Sequence, residues 1–113
     1  MLDGWMAKII KMKNLLENSN DLFAKALATM KVKNADYSGD SNSMRNFELT
    51  AEIAGVKMSQ GILTRLMDKM SRIGNLIKQD AKVTDESIFD TIQDGVNYLA
   101  ILYYALLIES QNN

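Results

Sequence analysis

Apolar residues recur at three- and four-residue steps through the first third of the chain, in the series Leu2, Trp5, Ile9, Met12, Leu15, Leu16, Leu22, Phe23, Ala26, Leu27 and Met30. This spacing predicts an amphipathic helix over residues 3–32. The run Asn18-Ser19-Asn20-Asp21 lies inside it, and its side chains compete for backbone hydrogen bonds, so the segment reads as one helix or as two broken there. From Asn34 to Ser43 the sequence NADYSGDSNS fits neither the helical nor the strand period and is rich in turn formers. It is expected to be the main loop.

Helical spacing returns over 44–54 with Met44, Phe47, Ala51 and Ala54, where Ser43 is a plausible N-cap and Gly55 a left-handed C-terminal residue. A helix over about 60–79 follows, with Ser59 as its expected cap and Leu63, Leu66, Met70, Ile73 and Ile77 on one face. After a turn at 79–83, Thr84 with Asp85 and Glu86 supplies an N-cap hydroxyl and first-turn acids. The last helix carries Ile88, Ile92, Val96, Leu99, Tyr103 and Leu106 along one side. Beyond Tyr98 nearly every position is apolar, which predicts burial all round and makes this the central helix or a dimer seam. No alternating strand pattern or internal repeat is visible. The expected fold is all-α, an antiparallel bundle of four to five helices forming one domain over 1–113.

Composition narrows the chemistry. Among 113 residues there is no cysteine and no histidine, which removes disulfides, thiolate nucleophiles, serine–histidine dyads and histidine zinc sites. A formal net charge of -1 leaves no global field for long nucleic acid, so any anion site must be local. With no long apolar run and no signal-peptide layout, a soluble intracellular protein is expected.

Two strips of charge offer candidate sites. On the last helix, with Glu86 at zero, Asp90, Asp94 and Asn97 fall at about 40°, 80° and 20° around the axis, so three carboxylates share one strip that favours a cation such as Mg²⁺. On the preceding helix Arg65, Asp68, Lys69 and Arg72 share an arc of about 100°. Packed antiparallel, the strips would face each other either as an ion-pair ladder on a solvated edge or as a metal and phosphate groove. Glu48 and Glu52 form a further acid pair that reads as solvated surface. Trp5, Phe23, Phe47 and the eight methionines read most simply as core.

The ordered strings KNADYSGD, RNFEL, GILTRLMDKMSRIGNLIK and VTDESIFDTIQDGVNYLAIL, within a region of about residues 20–108, resemble the nucleotide modification associated domain 1 family of phages and prophages. That family is similar in layout to the MazG-like all-α nucleotide pyrophosphohydrolases. The resemblance implies nucleotide metabolism in the cytoplasm of a bacterial host. By matching position it singles out Asp36, Tyr37, Asn46, Arg65, Lys69, Arg72, Asn97 and Tyr98 for the nucleotide. Glu86, Asp90 and Asp94 would hold Mg²⁺. Gly95-Val96 stands where the family usually has Leu-Ala, and a mid-helix glycine costs about 1 kcal/mol unless something packs closely against it. Two functions follow as expectations, a Mg²⁺-dependent hydrolase of a nucleotide phosphoanhydride and a protein that sequesters a nucleotide or nucleotide-derived signal. A structural or protein-binding bundle is the third. The apolar run from Tyr98 adds the expectation of a homo-oligomer.

Overall fold

The computed structural model describes residues 3–12, 14–37, 44–79 and 86–112, apart from the side chains at 10–12, 34–37 and 86. They form five helices: α1 (Gly4–Met12), α2 (Leu15–Tyr37), α3 (Arg45–Ala54), α4 (Met58–Ile77) and α5 (Glu86–Gln111). No strand occurs among the described residues, and the all-α expectation holds.

The N-terminal segment does break, at Asn14 and not at Asn18–Asp21. The Asn14 Oδ1 accepts the Glu17 N–H at 2.9 Å and the Asn18 side chain donates to the Asn14 carbonyl at 2.9 Å, so one asparagine satisfies a free amide while its neighbour covers a carbonyl. Asp3 does the same for α1 through Met6 N–H at 2.8 Å. At the other end α2 runs on through Tyr37, so four residues assigned to the main loop are helical. The rest of that loop, the Ser43 cap and the Thr84 cap lie outside the described residues.

Gly55 ends α3 as expected. Its φ of 71° is left-handed, and the Gly55 and Val56 amides turn back onto the Glu52 and Ala51 carbonyls, which closes the helix in two residues. Helix α4 then starts at Met58, two residues earlier than the sequence suggests. Gln60 Oε1 accepts the Lys57 N–H at 2.9 Å, and Ser59 is not the cap because both its amide and its hydroxyl are committed elsewhere.

Helices α4 and α5 are antiparallel, since Ser59 meets Glu109, Lys69 meets Asp94 and Arg72 meets Thr91. Helix α2 is also antiparallel to α5: the Asn97 side chain donates to the Ala26 carbonyl at 2.9 Å and Gln93 to Thr29 Oγ1 at 2.8 Å. Helix α5 is therefore central, flanked by α2 and α4, with α3 packed on α4. The core joins Met44, Ile62 and Ala105, with Phe47, Met58, Tyr98, Ile101, Leu102 and Ile108 around them.

This core is small. Trp5 and Phe23 are 69% and 56% exposed, so neither fills it, and most large side chains expected around the end of α5 lie outside it too. Leu99, Tyr103 and Leu106 are 53%, 68% and 51% exposed, which corrects the expectation that α5 is buried all round beyond Tyr98. The reason is which arc its neighbours take. Helix α5 turns Thr91, Tyr98, Ala105 and Glu109 to α4, and Gln93 and Asn97 to α2, so its apolar side points away from both from Leu99 to Leu106, while Ile88 is buried and Ile92 and Val96 are half-buried. Nor does Gly95 make room for a close neighbour, since a Cβ there would meet nothing within 4 Å. The molecule is correspondingly drawn out, 51 × 26 × 26 Å with a radius of gyration of 16.8 Å, against about 13 Å for a compact domain of this length.

Candidate functional site

The antiparallel packing brings the two charged strips together at one flank of the α4–α5 pair. Lys69 Nζ lies 3.5 Å from Asp94 Oδ2, both side chains about one-third exposed. Arg72 Nε donates to Thr91 Oγ1 at 3.2 Å, and the Thr91 hydroxyl in turn donates to the Ser87 carbonyl. Of the basic strip, Arg72 is thus spent on the helix pairing, Asp68 points to solvent, and Arg65 and Lys69 turn towards an aromatic corner.

That corner is built by α3 and α5. Phe47 and Tyr98 meet edge to face with centroids 6.5 Å apart and planes at 86°. The Arg65 guanidinium lies over both rings, 5.7 Å from the Phe47 centroid and 5.4 Å from that of Tyr98, and Lys69 Nζ lies 5.9 Å from the Tyr98 ring. The ring faces are electron-rich, so they hold these cations near one another without neutralising them. The Arg65 charge remains available to an anion, whereas Lys69 shares its charge with Asp94.

A cleft of about 610 Å³ opens beside this corner, floored by Asn97, Tyr98 and Ile101 of α5 and walled by Met30 and Lys33 of α2, Met44, Asn46 and Phe47 before and on α3, and Arg65 of α4. Asp94, Ala100 and Tyr104 complete its lining. The site residues marked out by the sequence resemblance divide accordingly. Asn46, Arg65, Asn97 and Tyr98 line the cleft, and Lys69 stands beside it through Asp94 and Tyr98. Asn97 also clips α2 to α5, which fixes the cleft's width. Asp36 and Tyr37 end α2, with side chains outside the described residues.

Of the carboxylate strip, two side chains are described. Asp90 is exposed, Asp94 is engaged by the Lys69 ammonium, and the Glu86 side chain lies outside the described residues. Among the described residues no three acidic side chains converge. Glu86, Asp90 and Asp94 are thus described only in part, and Lys69 competes with any cation for Asp94.

Sequence reasoning passed over Lys33 and Tyr104 as cleft residues. Lys33 opens the KNADYSGD string, and that was its only available signal. It also passed over Glu109. The two Glu109 carboxylate oxygens accept the Ser59 hydroxyl at 2.7 Å and the Ser59 N–H at 2.9 Å, fastening the start of α4 to the end of α5 across 50 residues of sequence. Ser59 is buried. Its hydroxyl, its amide and the positive charge of Lys57 hold the Glu109 carboxyl below the usual carboxylate range, against the opposing effect of burial. A depressed folded-state value means that this contribution is complete above the unfolded pKa and fades as pH falls through the folded one. Stability is therefore expected to decline below about pH 4.5. Glu109→Ala is expected to cost about 1–2 kcal/mol near neutral pH and to flatten that acid limb. Urea midpoints across pH check it, and an unchanged acid limb would show that the clasp contributes nothing.

None of the described helices is long and apolar enough to cross a membrane. No family model, curated protein or solved structure matches the chain.

Proposed function

We propose that the cleft binds a nucleotide-sized ligand, with phosphate oxygens at Arg65 and Lys69 and the base against the Phe47–Tyr98 corner. The observation that carries this reading is the guanidinium of Arg65 suspended over two aromatic rings at the mouth of a cleft of about 610 Å³. Ligand sites of this kind have volumes of about 300–1,000 Å³, apolar walls and a few convergent polar groups. A planar guanidinium can meet two phosphate oxygens at once, while Lys69 offers a more compact charge. Tyr104 and Lys33 at the far wall leave room for a second phosphate or ring.

Sequestration is the version this arrangement supports best, because binding needs only these cations and rings, whereas of the carboxylates that hydrolysis would require Asp90 is exposed and Asp94 already pairs with Lys69. The test is a titration of the protein with nucleoside mono-, di- and triphosphates, free nucleoside and inorganic phosphate, followed by denaturation and identification of what was bound. A nucleotide that binds at least tenfold more tightly than its nucleoside or phosphate, and is recovered intact, is the expected result. A cleaved product restores hydrolysis. Absence of binding by all of them removes the nucleotide reading and leaves the structural bundle.

A further inference from the structure

The apolar side of α5 repeats with alternating steps of three and four: Phe89, Ile92, Val96, Leu99, Tyr103 and Leu106. This is a 3.5-residue period, the spacing of a seam that keeps facing one neighbouring helix, and it runs for about 26 Å. Among the described residues no helix covers Phe89, Leu99, Tyr103 and Leu106, which are 51–68% exposed, while Ile92 and Val96 are half-buried. Helix α4 carries a matching row in strict sevens, Leu63, Met70 and Ile77, all more than two-fifths exposed. The two rows belong to one surface. On α4 the side facing α5 bears Ser59, Ile62 and Leu66, with Arg65 and Lys69 on the flank next to the cleft and the Leu63 row on the other flank. On α5 the cleft flank bears Asp94 and Asn97, and the Leu99 row lies on the opposite one. The back of the α4–α5 pair is therefore an apolar face two helices wide.

We infer that this face is covered by the same face of a second copy, giving a homodimer in which two α4–α5 pairs stack back to back as a four-helix bundle with both clefts outward. Three observations select this occupant. The chain presents 8487 Å², whereas a compact monomer of 12.7 kDa presents about 6,200 Å². Leu63, Met70, Ile77, Leu99, Tyr103 and Leu106 on this face, 43–68% exposed, carry part of that excess. The face contains no Asp, Glu, Lys or Arg, so a two-fold axis brings no like charges together. It also lacks the basic rim of a helix that lies on an anionic bilayer.

Sedimentation equilibrium of the whole chain at micromolar concentration tests this, and the expected mass is twice 12.7 kDa. Leu99→Glu places two carboxylates at the seam and should weaken association at least 100-fold. Because the chain has no cysteine of its own, single cysteines report the same face even if that variant fails to fold. Cysteines at Ile92, Val96, Leu99 and Tyr103 should include at least one that joins two copies by oxidation or a short bismaleimide, while Thr64→Cys on the outer surface of α4 should not. A monomeric parent, an assembly indifferent to a folded Leu99→Glu, or crosslinking no better along the seam than at Thr64 would overturn the proposal.

Discussion

Ile62→Ala is expected to lower the unfolding free energy by about 3–4 kcal/mol, the largest loss that a single apolar truncation should cause in this chain. Ile62 is the one large side chain among the described residues with no solvent exposure, and it sits where α3, α4 and α5 meet, against Met44 and Ala105. Removing three carbons leaves a void that a larger core could partly close. Here the neighbours are few, and Phe47 and Tyr98 are already fixed by their edge-to-face contact and by Arg65. Typical domains have about 5–15 kcal/mol in all, so a loss of this size consumes a large share. Urea unfolding at a fixed protein concentration measures it. Ile62→Val should cost about 0.5–1.5 kcal/mol, and Ser71→Ala on the exposed side of α4 should stay within about 0.5 kcal/mol. A loss under about 1 kcal/mol for Ile62→Ala would show that the Met44–Ile62–Ala105 cluster is not the centre of the fold.

The same small core explains what periodicity can and cannot reveal here. Helices were legible because three- and four-residue spacing reports an amphipathic surface directly, and Gly55 was legible because few other residues tolerate a left-handed C-terminal position. The break at Asn14 was obscured by the more conspicuous polar run at Asn18–Asp21, although the bonds that make it are local ones. For α5, spacing showed that Ile92, Val96, Leu99, Tyr103 and Leu106 share an arc, but not which neighbour occupies that arc. The internal partners instead take the mixed arc bearing Thr91, Asn97, Tyr98 and Glu109, where side-chain hydrogen bonds fix register.

In the cleft, the placement of Lys69 opposite Asp94 followed from the two helical strips, whereas Tyr98 was marked by the resemblance alone. The part played by Phe47 did not follow, because its ring reaches Arg65 and Tyr98 only after α3 packs on α4. Nor did the Ser59–Glu109 clasp, since a serine at a helix start reads first as a cap.

Arg65→Ala should weaken nucleotide binding about 10- to 100-fold while costing the free protein no more than about 1 kcal/mol. The two effects separate because of where the guanidinium sits. Without ligand it is exposed and rests over Phe47 and Tyr98, where a cation over a ring contributes about 0.5–1 kcal/mol. With a phosphate bound, the same group would make charge-assisted hydrogen bonds worth about 1.5–3 kcal/mol. Arg65→Lys keeps the charge and loses the fork, so it should recover part of the affinity and none of the preference for a group with two coplanar oxygens. Added salt should weaken the parent more steeply than Arg65→Ala, since the variant has lost one of the charges that salt screens. Calorimetric titration of the three proteins with one nucleotide, at low and high ionic strength, reads all of these together. Affinity equal to the parent's in Arg65→Ala would mean that the guanidinium serves only to dock α3 on α5, and that the phosphate, if bound, lies elsewhere.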